Sequence, residues 1–196
     1  MINQIKLENY LKEKIFTDLE KGRPNWDKPH TIAVVAWLKR ILANTPNLNL
    51  DKTVLLIAAY AHDWGYSQIY STDNLTNYGQ VQNAKLIHMD LGANKVKTLL
   101  NKKFFGFLSE SQKERVVHLV QVHDRLDRLS HPDELILMEA DTLGALDVSL
   151  VKPTFDYQSN LKYIDEVRKN RISKFITNYS KKTVEKLIQA RLDFYK

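Results

Sequence analysis

Apolar residues recur at helical spacing along nearly all of the 196-residue chain, and the two-residue alternation of strands is almost absent. That pattern predicts an all-α fold, a single-domain helical bundle of about seven to nine helices. Helices are expected over Gln4–Lys21, Pro29–Asn44, Asp51–Asp63, Gly79–Leu91, Asn94–Asn101, Ser109–His123, Asp133–Asp147, Asn160–Thr177 and Lys181–Phe194. Asp51, Ser109 with Ser111, and Ser180 stand where helix caps are expected. Arg23-Pro24-Asn25-Trp26 and Asn44-Thr45-Pro46-Asn47 are turn-forming clusters. The longest polar, aperiodic stretch, Tyr66–Tyr78, is expected to be a loop serving as a lid or pocket wall. Lys152-Pro153-Thr154 marks a second long connection.

A chain of this length can bury a genuine core. It has no cysteine, which excludes disulfides, thiolate nucleophiles, iron–sulfur clusters and finger-type zinc sites. A metal site must therefore use imidazole and carboxylate, a donor set suited to Mn, Fe, Co, Ni, Zn or Mg. The opening MINQIKLENYLKEKIF threads charges where a secretory signal would be apolar. No run approaches the roughly 18 apolar residues that span a bilayer, so a cytoplasmic location is expected by default and no membrane partner. The net charge of +6 lies wholly from Lys152 onward, where 11 Lys/Arg face 5 Asp/Glu. Such a segment can attract an anionic substrate or simply be a solvated face. No base-reading motif or interleaving of aromatic and basic residues speaks for nucleic acid.

The stretch LLIAAYAHDWGY, Leu55–Tyr66, ends a very apolar helix in His62 and Asp63. Such a pair says little alone, and a second one occurs at His123-Asp124. Its setting says more, because a helix end holds side chains rigidly yet lets them reach a cavity. His30 in KPHTIAVVAWL, His88 in LIHMDLGA, His123 in ERVVHLVQVHD and Asp141 in LILMEADTLGALD also sit in apolar helices. A buried histidine without a partner costs about 1–3 kcal/mol, so each of them needs one. His118 and His123 compete for one role, since five residues place them about 140° apart on a helix. His123, at the helix end, is preferred; His118 is read as packing or solvent-facing, and His131 as a turn residue.

The order and contexts of His30, His62-Asp63, His88, His123 and Asp141 resemble the HD superfamily of metal-dependent phosphohydrolases. HDWG, the small-residue step after His88, and Glu139-Ala140-Asp141-Thr142-Leu143 are each similar to that family's motifs. The resemblance implies one HD domain over 1–196, with a motif-bearing core about 26–150 and a basic helical segment about 152–196. It implies that His30, His62, Asp63 and Asp141 bind one divalent ion. His88 and His123 would add a second, with Asp63 bridging, and His62 and Asp63 form the catalytic pair. Two such ions hold a phosphate and activate a water for in-line attack. The implied reaction is hydrolysis of a small phosphorylated substrate, a nucleotide among the candidates. Arg125, Arg128, Lys152 and Tyr66 are candidate substrate contacts, and Asp124 and Glu139 candidate supports for a ligand histidine.

The chain lacks the Gly-Tyr-Pro that follows the fourth histidine in one group of cyclic-dinucleotide phosphodiesterases, and the Glu-Asp dyad of the alarmone hydrolases. Two alternatives stay open. One is a di-iron oxygenase on the same ligands; the other is a metal- or nucleotide-binding regulatory domain without turnover.

Overall fold

The computed structural model describes residues 3–69 and 78–196, the side chains of 78–83 excepted. Among these residues the fold is all-α, with eight α-helices and no strand. They are α1 (Gln4–Leu19), α2 (Asp27–Asn44), α3 (Lys52–Ala61), α4 (Tyr78–Leu100), α5 (Glu110–Val122), α6 (Pro132–Leu146), α7 (Tyr157–Glu166) and α8 (Asn178–Asp193).

Helix α3 organises the bundle. Every residue from Val54 to Ala61 is buried, so the helix has no solvent face and must lie inside. It packs against α2 and α5; α2 in turn lies along α6, and α5 along α4. Helix α1 buries only the stripe Leu7, Leu11, Ile15 and Leu19, the pattern of an outer helix. Burying each such side chain contributes about 1.5–3 kcal/mol.

Two expected caps form as read. Asp51 accepts from the backbone N–H groups of Thr53 and Val54 at 3.0 Å. Ser109 exchanges hydrogen bonds with Gln112 in a capping box. At α8, Thr177 is the cap, accepting from the Ser180 N–H at 3.1 Å, and Ser180 is buried inside the first turn. The two helices expected on either side of Gly92 are one, α4. Gly92 is there for close approach: a Cβ would stand 3.2 Å from Val120 Cγ1 and 3.3 Å from the Gly65 nitrogen.

The helix expected over Asn160–Thr177 breaks up. After α7 the chain widens into a π-turn over Val167–Arg171, tightens over Ile172–Lys174, and leaves extended at Phe175. Buried Glu139 of α6 fixes the break, accepting from the backbone N–H groups of Ile176 and Thr177 and from the Thr177 hydroxyl. A residue expected to support a ligand histidine instead anchors the entry to α8. The expected loop over Tyr66–Tyr78 begins as a short 3-10 turn, Trp64–Gln68; its residues 70–77 lie outside the described ones.

Candidate metal centre

Five helices deliver six side chains to one buried point. His30 comes from the first turn of α2, His62 and Asp63 from the end of α3, and His88 from the middle of α4. His123 closes α5 and Asp141 lies within α6. The C-terminal ends of α3 and α5 both point at the cluster, and their free carbonyls favour positive charge there.

The six fall into two triads, His30–His62–Asp141 and Asp63–His88–His123. In the first, His30 Nε2 lies 3.0 Å from Asp141 Oδ1 and 3.3 Å from His62 Nε2. In the second, His88 Nε2 and His123 Nε2 are 3.2 Å apart. Asp63 stands between them. Its Oδ1 is 3.4 Å from His88 and 3.6 Å from His123, while its Oδ2 is 3.6 Å from both His30 and His62.

The tautomers follow from the other ring nitrogens. Nδ1 of His62, His88 and His123 approaches the carbonyls of Ala59, Ala84 and Val120 at 2.9, 3.3 and 2.8 Å. A carbonyl only accepts, so these nitrogens are the protonated ones and the Nε2 lone pairs face the cluster. Such pairs repel unless something positive lies between them. This donor set of converging imidazoles and carboxylates, with backbone support behind it, fits a divalent ion in each triad.

Burial lowers His62, and lowers His88 to about 3, so both rings are neutral at pH 7. Burial opposes charge on His123 too, but the carboxylates of Asp63 and Asp124 beside it carry it above its ordinary value, so its Nε2 is the nitrogen that takes up a second proton where no cation is bound. Burial also disfavours ionised Asp63 and Asp141. Their neighbours outweigh burial: the adjacent His62 and the Arg23 guanidinium hold Asp63, and the Arg171 guanidinium with the hydrogen bond to His30 holds Asp141, well below the usual carboxylate range.

A cavity of about 70 Å³ opens against His30, Asp63 and Asp141. Trp26, Phe155 and Tyr163 form its apolar wall, with Trp26 stacked on His30 at 5.2 Å between centroids. Its cations are Arg23, Lys85, Arg171 and Arg191. Arg23 donates to Asp63 Oδ2 at 2.8 Å and to Asp27 Oδ1 at 2.6 Å. The π-turn swings Arg171 inward to Asp141 Oδ2 at 2.9 Å, Thr142 at 2.8 Å and Asp124. Thus Asp124, expected to support a histidine, pairs with Arg171 and Lys85.

Of the expected substrate contacts, the structure brings Tyr66 to the cavity, stacked on His88 at 4.0 Å and under the Arg23 guanidinium at 3.8 Å. It does not bring Arg125, Arg128 or Lys152 there. Arg125 pairs with Asp90 and shares with Arg128 a separate depression, and Lys152 is exposed. His118 lies in that depression too, half-exposed and 2.9 Å from Glu134. His131 is the residue before α6. Sequence reasoning missed Arg23, Lys85, Arg171 and Arg191. Arg23 hides in a turn motif, and the latter two in a basic run whose members look alike until a backbone break or a neighbour singles one out.

Fold and site together define an all-α protein with a buried histidine–carboxylate cluster whose two triads could each hold a metal ion. The HD domain family model matches residues 29–146, more than half of the chain, from just before His30 to just past Asp141. The chain belongs to the HD domain family. No curated protein and no solved structure matches it significantly. No helix among the described residues is long and apolar enough to cross a membrane.

Proposed function

We propose that the chain is a metal-dependent phosphohydrolase acting on a small phosphorylated substrate, with His30, His62, Asp63, His88, His123 and Asp141 as its ligands. Family membership supports the class. The observation that carries the reading is Asp63, one carboxylate oxygen facing each histidine pair. Divalent ions held there supply charge neutralisation for a phosphoryl group and a lowered pKa for a water.

The chain's own residues do the rest. Asp63 and Asp141 stay ionised because Arg23 and Arg171 lie against them, so hard oxygen donors are present at neutral pH. The carbonyls behind His62, His88 and His123 hold each ring in the tautomer that turns a lone pair inward. Trp26 and Phe155 limit water around the reacting group. Arg23, Lys85, Arg171 and Arg191 line the cavity and offset its four carboxylates, and the basic residues beyond Lys152 draw anions from a distance.

Full-length protein incubated with Mn, Co, Ni or Mg and a broad phosphoester panel is expected to release phosphate from at least one ester. Chelator should stop the release, and Asp63→Ala should lower it by about 10²-fold or more. No turnover on any ester with any of the four metals sinks the reading. Copurified iron with oxygen uptake would replace it by the oxygenase alternative.

A further inference from the structure

Arg191 differs from the other cations around the cavity. Arg23 is paired with Asp27 and Asp63, Arg171 with Asp124 and Asp141, and Lys85 with Asp124 and Glu166. Arg191, on α8, is fully buried, and its hydrogen-bond partners among the described residues are neutral. Its Nε donates to Asn160 Oδ1 at 2.6 Å and its Nη1 to the Ala145 carbonyl at 2.5 Å. Among the described residues its Nη2 has no hydrogen-bond partner, and neither has Nδ2 of the equally buried Asn160.

An uncompensated buried charge is among the least favourable features a fold can hold, and burial accordingly pulls this guanidinium below its ordinary pKa. A buried ion pair needs its counter-charge, and the protein supplies three of four around this cavity. The fourth position faces the same space as the candidate metal centre. Ala145, which takes Nη1, is four residues beyond Asp141 on α6, about 6 Å along the axis. Trp26 and Tyr163 flank the guanidinium, with ring centroids 5.9 and 5.1 Å away.

We propose that Arg191, with Asn160 beside it, is the receptor for a second anionic group of the substrate. That group, a phosphate or a carboxylate, sits a few atoms from the phosphoryl group held at the histidine–aspartate cluster. The substrate is then a compact organic phosphate with two anionic ends. The phosphoryl end of this assignment rests on the phosphohydrolase reading; the receptor at Arg191 does not.

The test separates the two. Inorganic phosphate and malonate are titrated by calorimetry into full-length, chelator-treated protein. Asn160→Asp supplies Arg191 with the carboxylate it lacks, so this variant is expected to fold at least as well as the parent. At least one anion should bind the parent, and both Asn160→Asp and Arg191→Gln should weaken it by about ten-fold or more. The anion that binds identifies the second group. Binding of neither, or equal affinity in parent and Asn160→Asp, overturns the receptor. With metal restored, kcat/KM for a carboxylated alkyl phosphate relative to phenyl phosphate should fall by about ten-fold in Asn160→Asp, through KM. A ratio equal to the parent's also overturns it. Absence of all turnover beside anion binding that Asn160→Asp weakens removes the phosphohydrolase reading and leaves the receptor standing.

Discussion

Asp63 is held from two directions, by the end of α3 and by the guanidinium of Arg23. Arg23 also carries Asp27, which is wholly buried and which burial pushes up to about 6 despite that arginine. Removing the guanidinium leaves a buried carboxylate alone, so Arg23→Met should cost about 3–5 kcal/mol in denaturant unfolding. Adding Asp27→Asn should return part of the loss, and a purely additive double mutant would sink this view of the pair. The sequence made Asp63 visible because histidine precedes it at the end of an apolar run. Arg23 left no such trace. Its turn cluster reads as punctuation, and only Asn25, at φ 58°, shows how sharply the backbone bends there to aim Arg23 and Trp26 inward.

At the scale of elements, helix α6 carries Asp141 and must be fixed at its start. Glu134 does this by accepting from the backbone N–H groups of Ser130 and His131 at 2.9 and 3.0 Å, and from Arg115 at 3.0 Å, with His118 at 2.9 Å. Burial opposes its ionisation, but these donors bring it down to about 2 from 4.5. A carboxyl with a depressed folded pKa stabilises fully above its unfolded value and loses that contribution as pH falls through the folded one. Stability is therefore expected to decline between about pH 4.5 and 2, and Glu134→Gln to flatten that decline while costing about 1–3 kcal/mol at pH 7. Identical acid unfolding curves for both proteins would argue against this role.

The helices were the most legible part of the chain, because apolar periodicity and caps such as Asp51 and Ser109 are local signals. The errors were at Gly92, where tertiary closeness overrides a helix breaker, and beyond Glu166. There the break depends on Glu139, distant in sequence, and on Arg171 finding Asp124 and Asp141.

Over the whole molecule, the basic C-terminal segment is part of the site's enclosure. Phe155, Tyr163, Arg171 and Arg191 close the cavity that the motif-bearing helices leave open. Its excess of lysine and arginine was plain in the composition; which two of those residues turn inward was not. The six converging residues were readable because each interrupts or ends an apolar helix, whereas the cations beside them look like any solvated charge.

The most direct test of the two-triad centre is the metal content of full-length protein, loaded with Mn and dialysed without chelator, measured by elemental analysis. About two ions per chain are expected for the parent and for His118→Ala, and about one for His123→Ala, which removes a donor from the second triad alone. A parent that retains no metal, or a His123→Ala variant that retains as much as the parent, would contradict the assignment.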